Sequence, residues 1–494
     1  MSVLRKLAGQ TAVYGLSSII GRFLNYLLVP LYTRIFDTAE YGVVTQLYAY
    51  VAFLNIIFTY GMETAFFRFF QTEKGNKRVY STALSSIALT SIIFSIAIIL
   101  FSPGIASVIS LNGSHGGKLE TYLLCFAGIL AFDALTAIPF ARLRQQNKAL
   151  KFASFKLFNI VLNIGLNLFF LVLCPHLHES GYQAAWLSSI YSPSVGVGYI
   201  FLSNLISSAL TLILLLPGLK EIRFGIDIRL WKQMLLYSLP LMVGGMAGMV
   251  NETIDRILIP YLISDQSSAM SQLGIYGACY KLSILMTLFI QTFRYAAEPF
   301  FFSQSQEESS GKIYAMVMKW FVIVCSFIFL AVWMYIDLVK YFIGEEFRQG
   351  LHVVPVLLVA NLFLGVYYNL SIWYKLSGKT SWGVWLALGG AGITLLFNFM
   401  LIPVLGYAGA AWTTLICYFL MMTGAYFSGQ KFYPIPYQVK NISAYFILAL
   451  SLFLASEFLR HSLSVSGFVL YAVNTVILLL YLFIVYHKEA RKNG

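Results

Sequence analysis

Charge is what this sequence has least of. Aspartate, glutamate, lysine and arginine make up 11% of its 494 residues, whereas 59% are hydrophobic and the mean hydropathy is +0.77. A soluble domain carries about a quarter charged residues, so the solvent here is lipid. Also missing is any alternation of apolar and polar residues over ten-residue segments. Runs such as Ile87 to Phe101 and Val476 to Val485 are continuous, which excludes a β-barrel. Cysteine is sparse. Cys125, Cys174, Cys279, Cys325 and Cys417 are scattered through apolar segments with no CxxC or Cys/His cluster, so they read as small core hydrophobes rather than disulfides or metal ligands. A phosphate loop is missing too: Ser377-Gly378-Lys379-Thr380 has its tail, but Trp373 stands where the first glycine belongs. His176 and His178 have no further ligand nearby and read as solvated loop residues. No cofactor, metal or catalytic constellation emerges.

What is present is a series of apolar runs of about 20 residues, the length that crosses ~30 Å of hydrocarbon as a helix. The runs predict an all-α polytopic membrane protein of about 14 transmembrane helices. Their spans are 10–33, 41–67, 80–102, 119–141, 154–174, 197–217, 236–260, 274–300, 315–336, 352–374, 381–403, 407–428, 441–459 and 466–486. The first run follows Arg5 and Lys6 but has no small-residue cleavage site, and reads as a retained helix.

With both termini cytoplasmic, 24 Lys/Arg fall in cytoplasmic segments. The opposite loops hold five: Arg34, Lys118, Lys340, Arg348 and Arg460. The bias follows the positive-inside rule. It also places most of the net charge of +13 beside anionic headgroups, with no need of nucleic acid.

An internal repeat is visible. The second span laid on the eighth without a gap matches Tyr41-Gly42 to Tyr276-Gly277, Phe58 to Phe293, Tyr60 to Tyr295, Glu63 to Glu298 and Phe66-Phe67 to Phe301-Phe302. The first span lies over the seventh, with Leu28-Val29-Pro30 on Leu258-Ile259-Pro260, and Asn167 matches Asn398 more loosely. Both halves start on the same side, so they read as parallel repeats, a transporter signature. The expected organisation is a six-helix bundle over 1–218, a second over 219–434, and an appended pair of helices over 435–494, with an extra loop at about 175–195 in the first half.

Arg22, Arg256, Lys281 and Arg294 fall inside spans, as do Glu63, Asp133, Glu252, Asp255 and Glu298. An ionised group at the bilayer centre costs roughly 2.5–3.5 kcal/mol on insertion scales, so each should face protein or water. Glu252, Asp255 and Arg256 share one helix face by their i, i+3, i+4 spacing, and Arg22 and Asn25 stand at the corresponding place in the first span. Two readings stand side by side. In one the charges neutralise each other as ion pairs such as Glu252 with Arg256 or Arg294 with Glu298. In the other Arg22, Asn25, Arg256, Lys281 and Arg294 make a cationic, substrate-binding lumen suited to phosphate, while Glu63, Asp133, Glu252, Asp255 and Glu298 gate it or couple it to an ion. Pro30 and Pro260 can interrupt their helices, and Gly244 with Gly248 offers a close approach for another helix.

The stretch Leu27-Leu28-Val29-Pro30-Leu31-Tyr32-Thr33-Arg34, followed by Glu40-Tyr41-Gly42, resembles polysaccharide flippases of the O-antigen type. These belong to the multidrug, oligosaccharidyl-lipid and polysaccharide exporter superfamily. The resemblance implies alternating-access transfer of an undecaprenyl-diphosphate-linked oligosaccharide to the periplasmic leaflet of a bacterial inner membrane, for lipopolysaccharide or other surface polysaccharide. It implies substrate-binding roles for Arg22 and Arg256, a polysaccharide polymerase as a candidate partner, and a monomer. Glu252 and Asp255 beside Arg256 depart from that pattern. Outward movement of a diphosphate across an inside-negative membrane gains about 2.3 kcal/mol per charge per 100 mV, with no need of ATP. The alternatives are an ion-coupled drug or cation antiporter using Glu252, Asp255 or Asp133, a lipid II flippase, and a membrane polysaccharide polymerase or ligase. The last normally needs a large catalytic loop.

Overall fold

The structure is a computed structural model. It describes residues 15, 19–73, 77–109, 116–181, 185–219, 224–305, 307, 309–462 and 467–493. Among these every regular element is a helix, and the chain is a multi-pass membrane protein: twelve helices are long and apolar enough to cross a bilayer, or up to thirteen counting one bent pair. The first part of the first expected span, with Arg5 and Lys6, lies outside the described residues. Contacts divide the chain into two units, Met1–Met249 with Arg256–Ser271, and Val250–Asp255 with Gln272–Gly494.

The first unit opens with α1 (19–26) and α2 (Val29–Ile35), where Pro30 sits in the first turn, a position that lacks an N–H partner anyway. Asp37 starts α3 (Thr38–Thr59) with a capping box closed by Glu40. Tyr60 and Gly61 then adopt left-handed conformations, φ 32° and 71°, and break the span before α4 (Met62–Thr72). Tyrosine rarely tolerates this region. Its hydroxyl is anchored to Ser86 at 2.6 Å, and Ser86 Oγ also accepts from Trp231 Nε1 at 2.7 Å. A Cβ on Gly61 would lie 3.0 Å from the Ser238 carbonyl.

The spans α5 (Lys77–Ile109) and α6 (Gly116–Gln145) pack against α4 through Phe66, Tyr80, Ala83, Ala134 and Ile138, all buried. Beyond them come α7 (Ala149–Leu168), α8 (Cys174–Glu179), α9 (Ala185–Ile190) and α10 (Gly198–Leu215). The loop expected at 175–195 is thus shorter. A π-helical turn over Phe169–Leu173 lets the helix run through Pro175 to Glu179, because the wider turn relieves the clash a proline makes one turn back. The exposed His178 ring lies edge-on to Tyr191 at 5.9 Å. The long α11 (Ile228–Leu262) carries Pro240 and Pro260 without a break, and Gly248 meets open space instead of a close helix neighbour.

In the second unit a 53° bend separates α12 (Gln266–Lys281) from α13 (Ile284–Gln304). The remaining helices are α14 (Ser310–Met334), α15 (Ile336–Val339), α16 (Val354–Leu370), α17 (Ile372–Leu376), α18 (Ser381–Leu405), α19 (Tyr407–Phe432), α20 (Val439–Ser462) and α21 (Gly467–Asn493). Gly409 allows α19 to turn tightly against α18, since a Cβ there would lie 2.4 Å from the Leu401 carbonyl. The last two helices are held to α14 by polar contacts along their length. Asn474 Nδ2 donates to the Met334 carbonyl at 2.7 Å, Tyr481 to the Ile323 carbonyl at 3.1 Å, and Trp333 Nε1 to Glu457 at 2.8 Å. Lys319 lies inside α14 and pairs with Glu489, which also accepts from Tyr445 at 2.6 Å. All five cysteines are free, and four of them are buried.

Candidate functional site

In the first unit, Arg22 is an exposed residue of α1 with no hydrogen bond, ion pair or ring contact among the described residues, and Asn25 is exposed one turn on. Glu63, in the first turn of α4, is ion-paired with Arg144 at the end of α6. The Arg144 guanidinium also lies over the Phe67 ring at 5.0 Å.

Asp133 stands at the head of a polar chain. Ser208 donates to its carboxylate at 2.7 Å, and Asn204 donates to the Tyr48 hydroxyl at 3.0 Å. Further along, Asn159 donates to Thr211 at 2.9 Å. Asn204, Ser208 and Thr211 are spaced four and three apart, so α10 turns one polar stripe toward α3, α6 and α7. Only Asp133 was conspicuous in the sequence. The others are uncharged and need the fold to bring them together.

Arg256, assigned to the first unit, is half-buried in α11. Its neighbours in sequence belong to the second: Glu252 is exposed, while Asp255 is 4% exposed and accepts a hydrogen bond from Tyr276, the repeat counterpart of Tyr41. Lys281 is half-buried in the last turn of α12, where its charge complements the helix dipole just before the bend. Arg294, midway along α13, is exposed, and its guanidinium lies 4.6 Å from the Tyr368 ring centre. The partner of Glu298 is not Arg294 one turn back but Lys375 of α17, at 2.8 Å.

A second polar cluster in this unit centres on Asn251, which donates to the Ala387 carbonyl at 3.0 Å and accepts from Thr394 at 3.4 Å. Gly390 keeps the space open: a Cβ there would stand 2.9 Å from the Asn251 amide. Asn398 lies one turn beyond Thr394, fully buried, with neither amide atom paired among the described residues. In the sequence Asn398 is marked only by its loose repeat match to Asn167, and Asn251 and Thr394 carry no such mark.

The sequence pattern of a family described as polysaccharide biosynthesis protein matches residues 7–306. The chain belongs to this family. No curated protein matches it. Among solved structures it is similar to the lipid II flippase MurJ in an inward closed conformation, with a TM-score of 0.73 and 14% identity over 97% of this chain and 99% of that one. It is also similar to an inward-facing multidrug resistance MATE transporter, at a TM-score of 0.58 and 14% identity over 88% and 95% of the two chains. A third likeness is to a transporter of the same superfamily from Pyrococcus furiosus, whose binding pocket is described as reversed in polarity, at 0.55 and 13% over 85% and 95%. These likenesses show that the chain shares the fold of MurJ and the MATE transporters.

Proposed function

We propose that this member of the polysaccharide biosynthesis protein family is a flippase. It moves undecaprenyl-diphosphate-linked oligosaccharide repeat units from the cytoplasmic to the periplasmic leaflet of a bacterial inner membrane by alternating access. Both termini are cytoplasmic, and a polysaccharide polymerase receives the product. Arg22, Asn25, Arg256, Lys281 and Arg294 contact the cargo. Glu63, Asp133, Glu252, Asp255 and Glu298 gate the path or couple it to an ion.

The observation that carries this reading is that Arg22 and Arg294 are exposed within apolar stretches of the sequence, where an ionised group in a bilayer needs water or an anionic guest. A diphosphate supplies the anion, and planar guanidinium groups suit its oxygens. The family description supports a polysaccharide cargo. The polar chain from Asp133 through Ser208 favours one addition, an ion-coupled cycle with Asp133 as the coupling acid, which an antiporter would share.

The experiment is mass spectrometry of lipid-linked saccharides in cells lacking the protein, complemented with the wild type or with Arg22→Ala. Repeat units should accumulate on the diphosphate carrier without the protein, clear with the wild type, and persist with Arg22→Ala at normal abundance in the membrane. An unchanged lipid-linked pool in the deletion strain contradicts the proposal.

A further inference from the structure

The second unit has a partly open pocket of about 20 Å³ whose polar lining is Arg294, Glu298, Tyr368, Asn369, Ser371 and Lys375. This is room for a single water-sized guest. Asn369 is 3% exposed, and its Nδ2 has no acceptor among the described residues. A buried donor in that state costs about 1–3 kcal/mol, and an acceptor entering beside Asn369 would offset that cost. Two cations line it against one carboxylate: Lys375 is held by Glu298 at 2.8 Å, while Arg294 rests on the face of Tyr368. The formal charge of the lining is therefore positive. A metal cation would meet repulsion here, and a water would satisfy Asn369 while leaving the excess charge.

We infer that Arg294, Asn369 and Lys375 form an anion subsite that takes one oxygen of a phosphoryl group, with Glu298 as its resident competitor. The cavity admits one oxygen and leaves the rest of the group outside. An arriving phosphoryl oxygen accepts from Asn369 Nδ2 and draws Lys375 from Glu298, exchanging one charge-assisted hydrogen bond for another. The source of the phosphoryl group is either a lipid-linked diphosphate or free phosphate. Its assignment to the carrier lipid rests on the proposed function, whereas the subsite itself does not.

The test is calorimetric titration of the full chain in nanodiscs of uncharged lipid, with inorganic pyrophosphate in one arm and farnesyl diphosphate in the other. Lys375 and Glu298 are 25% and 40% exposed, so Lys375→Gln and Glu298→Gln leave the packing intact. Lys375→Gln should weaken binding roughly ten- to a hundredfold, the range of a charge-assisted hydrogen bond, and Glu298→Gln should tighten it by about threefold to tenfold. Asn369→Leu should weaken it in the same direction as Lys375→Gln. Wild-type affinity in both Lys375→Gln and Glu298→Gln overturns the subsite. Tighter binding of farnesyl diphosphate assigns the source to the lipid carrier, while binding of pyrophosphate alone supports the subsite for free phosphate and removes the lipid source. If the affinities shift as expected but cells lacking the protein accumulate no lipid-linked saccharide, the subsite stands and the cargo assignment falls.

Discussion

Lys375 donates to Glu298 at 2.8 Å, and Arg144 pairs with Glu63, the residue that the internal repeat aligns with Glu298. In each unit an acid near one end of a span is tied to a base just after the fourth span of the same repeat. The matching sequences around Glu63 and Glu298 thus carry a matching contact, made with different bases.

Exchanging the charges tests the first of these pairs. Glu63→Arg or Arg144→Glu alone should lower transport several-fold, and the double exchange should restore it, measured as surface polysaccharide at equal membrane abundance. Both side chains are more than a third exposed, so each single change should alter thermal stability by no more than about 1 kcal/mol. A double exchange as poor as the singles argues against a functional pair.

Asp133 offers a separation of charge from packing. Asp133→Asn keeps an acceptor for Ser208 and removes only the ionisable group. The variant should reach the membrane normally and lose transport. Full transport would place Asp133 among structural residues and remove it from coupling.

The appended helices should depend on the Lys319–Glu489 contact. The two side chains are 12% and 7% exposed, and removing one partner leaves the other charge uncompensated. Lys319→Met should therefore cost about 3–5 kcal/mol, and Lys319→Met with Glu489→Met much less. Thermal unfolding of the purified variants in detergent gives the comparison.

A stricter packing requirement falls on Gly409. The atoms that a Cβ would strike belong to the backbone of Leu401 and Ile402, which cannot rotate away as a side chain can. Gly409→Ala should lower stability by about 1–3 kcal/mol, read from the same unfolding experiment.

The spans were legible because length and hydropathy alone decide them: the apolar runs at 80–102 and 381–403 fall within α5 and α18. Breaks and partners were not. Tyr60 carries no mark of a left-handed residue, and its conformation depends on Ser86, 26 positions away. Pro175 signalled a loop, yet a π-helical turn absorbs it. The pairing of Lys319 was invisible because its partner is 170 positions distant. At the candidate site, charge in apolar runs singled out Arg22, Asp133 and Arg294. Asn251 and Asn369 escaped notice, and Asn398 stood out only as a loose repeat match to Asn167, because the burial and hydrogen bonding of a neutral amide appear only in the fold. The spacing of Arg294 and Glu298 suggested a local pair, and tertiary packing supplied Lys375 instead.

The most direct measurement is leaflet-resolved transfer in proteoliposomes. Purified protein is reconstituted with a labelled undecaprenyl-diphosphate oligosaccharide, and the fraction reached by an enzyme added outside is followed in time. The account predicts that wild-type protein makes the inner-leaflet pool accessible within minutes, and that Arg22→Ala leaves it protected as in protein-free vesicles. Equal protection with wild-type protein and with none, in vesicles where the protein is folded and inserted, would contradict it.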